Sequence, residues 1–244
     1  MKSNSGSLPR WNEVTAIFGG RFDPPHLGHR EAVKGLFQFP AIKQVLILPS
    51  ATPPHKPALT PMEDRLEMAR LNFKPTPQST YPTEITIHSC EVDRAKKNPH
   101  IPTTSFETLE ELKPQFPHLA FVIGADQLTQ LPTWHRFLDL LVCCHWIVIQ
   151  RKPENNETTN KNLHQTLSEW QSSQLIRAVS TQTWQLRNSP YRLTLVPTEA
   201  PALSSTQIRE SLSKNGTPPD GSLLPEVWAY LKQKKLYGIN KLHE

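Results

Sequence analysis

Residues 19–29 read Gly-Gly-Arg-Phe-Asp-Pro-Pro-His-Leu-Gly-His, and they hold the densest concentration of chemistry-bearing types in the chain. Gly19 and Gly20 let the backbone pass close to a ligand, and Pro24 and Pro25 fix the turn that follows. A helix opening after that turn offers unsatisfied N–H groups and its positive dipole end to an anion. His26 and His29 stand three apart, so on a first helical turn they share a face, and Gly28 between them leaves room for a phosphate. Neither a third histidine, a cysteine nor a carboxylate sits at suitable spacing for a metal site. The chemistry that suits this set is the handling of a phosphorylated ligand.

Three further segments carry compatible chemistry. Ser204-Ser205-Thr206 with Arg209 caps a helix start and can present hydroxyls, N–H groups and a guanidinium to phosphate; capping alone would also explain it. Residues 53–57, Pro-Pro-His-Lys-Pro, make a proline-held loop in which Lys56 could set a cation against a pyrophosphate; a solvent loop is the plain alternative. Gly124-Ala125-Asp126 puts a carboxylate at a strand end, where it can take ribose hydroxyls. Downstream, Trp134 can stack on a flat ring, although burial in a core is the usual fate of a lone tryptophan.

Positioning these groups requires strands whose ends they occupy. Apolar runs at 13–18, 44–48 (QVLIL), 119–123 (LAFVI), 146–149 and 192–196 predict strands, and 84–88 alternates as a strand does. Helical spacing is read at 28–39, 61–71, 105–112, 205–213 and 225–236, with Pro61 at a first helical position, and 131–141 reads as a turn and a helix. Strand and helix alternate, which predicts an α/β fold, a Rossmann-like doubly wound parallel sheet with a C-terminal helical cap. In such sheets ligands sit at the carboxyl ends of the strands, and the motifs above all follow strands. Between 151 and 189, 20 of 39 residues are Asn, Gln, Ser or Thr. This predicts a polar insertion with one amphipathic helix on Leu163, Leu167 and Trp170, flanked by mobile segments, within a single domain spanning 11–244. Residues 1–10 are expected to form a disordered tail.

Composition removes several classes. The chain has 244 residues, 27 Lys plus Arg against 22 Asp plus Glu, and a net charge of +5. That mild basicity suits a phosphate-handling enzyme as well as a nucleic-acid binder. The longest apolar stretch, 138–149, is broken by Asp139 and His145 and is too short to span a bilayer, and the first ten residues lack a signal-peptide core. Cys90, Cys143 and Cys144 form no CxxC pair. They are read as buried thiols of a soluble, cytoplasmic protein.

Taken together, GGRFDPPHLGH, PPHKP, FVIGADQLTQLPTWHRFLDLL, SSTQIR and the closing LLPEVWAYLKQKKLY resemble the bacterial nicotinate-nucleotide adenylyltransferases of the HxGH nucleotidyltransferase superfamily, over 14–237. The resemblance implies transfer of the adenylyl group of ATP to nicotinate mononucleotide, giving deamido-NAD and pyrophosphate. It implies catalytic roles for His26, His29, Lys56 and Arg209. ATP would be bound by Gly19, Gly20, Phe22, Gly28, Gly124, Asp126, Ser205 and Thr206. Trp134 would stack on the pyridine ring, and backbone N–H groups near Ser105 and His135 would receive its carboxylate. Mg2+ would come bound to the ATP phosphates, no metal site of the protein's own is implied, and neither nucleic acid nor membrane is an expected partner. A homo-oligomer is compatible with the resemblance.

The attacking 5′-phosphate is already anionic near neutral pH, so the step needs positioning and charge relief at the α-phosphorus rather than a general base. Arg21 stands where the family has Thr or Ser, and Glu107 where Asp is common. His100 to Ser105 replaces the family's Gly-Pro-Ser-Tyr-Thr stretch. Since that stretch lies near the acid-versus-amide end of the pyridine site, a nicotinamide-mononucleotide or dual-specificity enzyme is the alternative. Phosphopantetheine adenylyl transfer fits less well, because those chains lack the long Gly-Ala-Asp to Trp segment, and no Lys-Met-Ser-Lys-Ser-type loop suggests a synthetase fragment. A non-catalytic nucleotide- or RNA-binding module is the alternative of another class. Such a module would show binding that weakens steeply with salt.

Overall fold

A computed structural model describes residues 13–52, 59–75, 84–151, 157–201 and 203–239. The tail 1–10 and the loop residue Lys56, both singled out above, lie outside the described residues. The chain runs through β1 (Val14–Gly20), α1 (Leu27–Leu36), β2 (Ile42–Pro49), α2 (Met62–Phe73), β3 (Glu84–Ile87), α3 (Cys90–Lys97) and α4 (Ser105–Leu112). It continues through β4 (Leu119–Gly124), α5 (Ala125–Gln130), α6 (Phe137–Leu141), β5 (His145–Arg151) and α7 (Glu157–Ser172). It closes with β6 (Ile176–Ser180), β7 (Thr183–Leu186), β8 (Arg192–Thr198), α8 (Ser205–Asn215) and α9 (Pro225–Gln233).

Among the described residues one eight-stranded sheet has the order β3-β2-β1-β4-β5-β8-β7-β6. From β3 to β8 neighbouring strands pair in parallel. β7 and β6 extend the sheet antiparallel. The chain builds outward from β1 through β2 to β3, then crosses to the other side of β1 to lay down β4. The order therefore reverses between β1 and β4, and the crevice outside the carboxyl ends of those two strands is where such sheets take ligands. Gly20 ends β1 and Gly124 ends β4 at that crevice.

Strand periodicity divides the core. Ile17, Leu119, Phe121, Ile123, Trp146 and Val148 point to the face covered by α4, α5, α6 and α7. Ala16, Phe18, Ala120, Val122 and Ile147 point to the face that α1 and the end of α2 cover. A third cluster joins Met68 of α2 to Ile208, Leu212, Val227 and Leu231, which seats α8 and α9 as the C-terminal cap.

Three features differ from the sequence reading. The 151–189 insertion holds α7, packed through Leu163, Leu167 and Trp170 as expected, and also the β6–β7 hairpin. A single helix with mobile flanks therefore understates it, and the sheet is mixed rather than wholly parallel. Pro61 caps α2 from outside, in an extended conformation, instead of occupying its first turn. Two short helices, α3 and α5, appear where no helix was read.

His145 opens β5, with its Nδ1 accepting a hydrogen bond from the Arg192 backbone N–H at 3.1 Å. Burial, reinforced by the charges of Arg192 and His118, pushes its pKa down from 6.5 to about 4. The folded imidazole stays neutral where the unfolded one takes up a proton, so folding stability is full above about pH 6.5 and falls as the pH drops toward 4. The melting temperature is expected to decline across that window. His145→Asn, which keeps an acceptor but cannot titrate, should flatten the decline; an unchanged profile would show that His145 does not drive it.

Candidate active site

The turn between β1 and α1 is built around Phe22 and Asp23. Phe22 has φ 49°, a left-handed conformation that a bulky residue adopts only when its surroundings hold it there. What holds it is an aromatic cluster: its ring meets those of Phe18 at 6.0 Å, Phe73 at 5.4 Å and His29 at 5.2 Å between centroids. The ring is buried and packs over Gly20, where an added Cβ would lie 3.0 Å from it. Phe22 was expected among the nucleotide-binding residues. Its side chain belongs to the core, leaving only its backbone to face a ligand.

The two histidines come together as the spacing predicts. Their rings stack at 3.7 Å with 27° between planes. The His26 backbone N–H donates to His29 Nδ1 at 3.2 Å. That bond makes Nδ1 the acceptor, so the proton of the neutral imidazole sits on Nε2. His26 is buried and precedes α1, while His29 is half-buried within its first turn, its ring edge-on to Phe18 and Phe22.

Gly28 serves a different purpose from the phosphate gap first read there. A Cβ at this position would lie 3.0 Å from the His26 ring and 3.2 Å from the Pro201 carbonyl oxygen. The space is filled by protein, and glycine is needed so that His26 and the segment before α8 can close on α1. Gly28→Ala is expected to cost about 1–3 kcal/mol of stability, the usual price of overpacking, and to lower turnover several-fold by displacing His26. Thermal melts and steady-state rates check this; a variant matching the parent in both would show that the contact yields freely.

The start of α8 docks on the same turn. Ser204 caps the helix, its Oγ accepting from the Gln207 N–H at 3.2 Å. Ser205 Oγ donates to the Pro24 carbonyl at 2.8 Å, and Arg209 Nη1 donates to the Asp23 carbonyl at 2.7 Å. Thr206 Oγ1 accepts from Arg209 Nη2 at 3.2 Å. His26, His29, Ser205, Thr206 and Arg209 thus surround one turn at the end of β1, with the N-termini of two helices facing it.

A second group forms the wall beyond β4. Phe121 spans the gap: an added Cβ on Gly19 would touch its ring at 3.4 Å, and on its other side it meets Trp134 edge-to-face at 6.4 Å. Trp134 is half-buried, neither sealed in the core nor free of it. His135 is exposed and its Nε2 lies 3.5 Å from a Glu107 carboxylate oxygen. Since Glu107 belongs to α4, that pair ties Trp134 and His135 to the helix that Ser105 begins. The segment before α4 is fixed to the loop after β2, through Thr103 N–H donating to the Thr52 carbonyl at 3.2 Å and Thr52 N–H donating to Thr103 Oγ1 at 3.3 Å. Asp126 is exposed in the first turn of α5, and its Oδ1 lies 2.5 Å from where a Gly124 Cβ would be.

Sequence reasoning missed the residues that hold the turn from behind. Arg65, 1% exposed, donates to four backbone carbonyls: Arg21 and Thr60 at 3.1 Å, Ala51 at 2.8 Å, and Ser50. Asp23, equally buried, accepts from the Leu59 N–H at 2.9 Å and from the Tyr237 hydroxyl at 2.7 Å. A signal for Arg65 existed: with Met62, Leu66 and Ala69 it falls on the inward stripe of α2, where a cation must be fully hydrogen-bonded. The three thiols are free and buried. Burial pushes Cys90 up to about 12 and raises Cys143 and Cys144 as well, so none is primed as a nucleophile.

Residues 17–211 match the model of the cytidylyltransferase-like family. A protein of Idiomarina loihiensis named "Probable nicotinate-nucleotide adenylyltransferase" is 32% identical over 236 residues, covering 92% of this chain and 99% of its own. The chain belongs to this family. A Sodalis glossinidius relative with the same name is also 32% identical, over 92% of this chain and 97% of its own. Among solved structures, the Plasmodium falciparum nicotinic acid mononucleotide adenylyltransferase complexed with NaAD superposes with a TM-score of 0.67 at 17% identity, covering 94% of this chain and all of that one. The family's Rossmann-like nucleotidyltransferase fold is the one described above.

Proposed function

We propose that this protein transfers the adenylyl group of ATP to nicotinate mononucleotide, giving deamido-NAD and pyrophosphate, as a step of NAD biosynthesis. The observation that carries the reading is the convergence of two helix N-termini, the stacked His26–His29 pair and Arg209 on one turn at the strand-order reversal. Its relatives bear the name of this activity, and the fold matches a structure complexed with NaAD.

An oxygen of the mononucleotide 5′-phosphate attacks the α-phosphorus of ATP, and the bond from that phosphorus to the bridging oxygen of the β-phosphate breaks. Pyrophosphate leaves with the electron pair. His29 Nε2–H donates to the α-phosphate as charge gathers there. His26, Ser205, Thr206 and Arg209 hold the phosphate chain with the N–H groups opening α1 and α8, and Lys56 is assigned to its β and γ groups. Gly19 and Gly20 allow the close approach, and Gly28 lets His26 close on α1. Gly124 and Asp126 take adenosine. Trp134 stacks on the pyridine ring, and the backbone near Ser105 and His135 receives its carboxylate.

Among the described residues no group of three or more His, Cys, Asp or Glu could hold a metal ion, and both oxygens of the buried Asp23 carboxylate are already engaged. We assign Mg2+ to the ATP phosphates, whose charge it would neutralise. No described helix is long and apolar enough to cross a membrane, and the free thiols suit the cytoplasm. The whole of 11–244 is assigned to one domain.

ATP labelled at the α-phosphorus tests the proposal. The label should pass into a dinucleotide with the mass of deamido-NAD, and label at the γ-phosphorus should leave in pyrophosphate. Release of γ-label as inorganic phosphate would mean ATP hydrolysis and overturn the reading.

A further inference from the structure

The closing run of the sequence, 235–238, does something that neither the family match nor the reaction assigns. Lys235 and Tyr237 both adopt left-handed backbone conformations, at φ 52° and 56°, ahead of Gly238 at 78°. Two side-chain-bearing residues in that region within three positions are costly unless the surroundings fix them. The conformation delivers Tyr237 into the motif turn, where its hydroxyl donates to Asp23 Oδ1 at 2.7 Å and is also hydrogen-bonded by the Thr60 side chain.

Asp23 is the pivot of that turn. Its carboxylate is buried and accepts hydrogen bonds from two neutral donors, the Leu59 N–H and the Tyr237 hydroxyl. Two cations lie close by. Arg65 lies within electrostatic reach of the Asp23 carboxylate, and Arg209 donates to the Asp23 backbone carbonyl. Arg65 is committed to four carbonyls. Arg209 is tied to the backbone carbonyl of Asp23, and the proposed reaction needs its guanidinium for phosphate. A buried carboxylate that loses a donor must find another or draw in a cation.

We propose that Tyr237 is a positioning residue: its hydroxyl satisfies the Asp23 carboxylate so that Arg209 stays directed at the phosphate chain instead of being drawn onto Asp23. The C-terminal segment thereby acts as a strap across the phosphate end of the site. The proposal rests on reading this turn as the phosphate site.

Tyr237→Phe tests it, because the ring and its packing are kept and only the hydroxyl is lost. Calorimetry with pyrophosphate and, separately, with nicotinate mononucleotide reads the two ends of the site without turnover. Pyrophosphate affinity is expected to fall at least about fivefold, a loss of about 1 kcal/mol, with mononucleotide affinity within twofold and the melting temperature within a few degrees. Unchanged pyrophosphate affinity, equal loss for both ligands, or a fall of more than about 10 °C in melting temperature would each overturn it, the last by marking Tyr237 as a plain core residue. Should the parent protein bind pyrophosphate yet fail to make dinucleotide, the proposed reaction falls while the Tyr237 comparison still decides this inference.

Discussion

Replacing His29 with alanine is expected to lower kcat at least about 100-fold, the usual cost of removing a donor aimed at developing charge, while the protein remains folded. The geometry says why the loss should be so large for one side chain. The His26 backbone N–H occupies Nδ1, which leaves the proton on Nε2. The His26 ring stacks on one face of the imidazole, and Phe18 and Phe22 present ring contacts to it. A donor held this way pays little to reorient during the step, which is what makes a preorganised group effective. His26 cannot substitute, because it is buried ahead of the helix rather than within its first turn. Steady-state rates beside a far-ultraviolet spectrum and a melt separate chemistry from folding. Retention of more than about a tenth of kcat would remove His29 from the role assigned to it.

Trp134→Ala should act on the other end of the site. Stacking of a nucleic-acid base on an aromatic side chain is worth about 1–3 kcal/mol by alanine substitution, and a pyridinium ring presents a comparable flat face. The KM for the pyridine mononucleotide is therefore expected to rise about tenfold or more, with that for ATP within about twofold. Trp134 can make such a contact because the 3-10 turn Leu131–Thr133 ends in an extended Trp134 backbone and Phe121 meets the indole edge-to-face, leaving the side chain half-buried. Equal rises in both KM values would place Trp134 in the core, serving both ends of the site indirectly.

How far the sequence alone could go depended on burial. β1, β2, β4, β5 and β8 are legible because strands covered on both faces are dominated by Val, Ile, Leu, Phe and other apolar residues. The β6–β7 hairpin is not. β6 is the sheet edge, with only Ile176 buried, and its Arg, Ala and Ser positions give no alternation to read. α3 hides for a similar reason, since its inward residues Cys90, Val92 and Ala95 are a thin stripe in a charged segment. Within the site, residues that act through their own motif were legible: the His26–His29 stack follows from a spacing of three, and Ser204 caps α8 as its type predicts. Residues that act through distant chain were not. Asp23 and Tyr237 meet across 214 positions, and Arg65 reaches the Arg21 carbonyl across 44. No local pattern encodes contacts of that range. Phe22 and Gly28 illustrate the converse. Their place in the motif drew a ligand-binding role, whereas the packing shows that they shape the turn.

The measurement that bears most directly on the account is pyrophosphate release from MgATP with nicotinate mononucleotide and nicotinamide mononucleotide side by side. A kcat/KM for the acid at least about 100-fold above that for the amide, some 2.7 kcal/mol, is the predicted result. It would mean that the segment from His100 to Ser105, though altered from the family pattern and pinned to Thr52, still presents N–H donors to a carboxylate. Comparable rates with the two mononucleotides would contradict the assignment to the acid, and no release with either would contradict the proposed reaction itself.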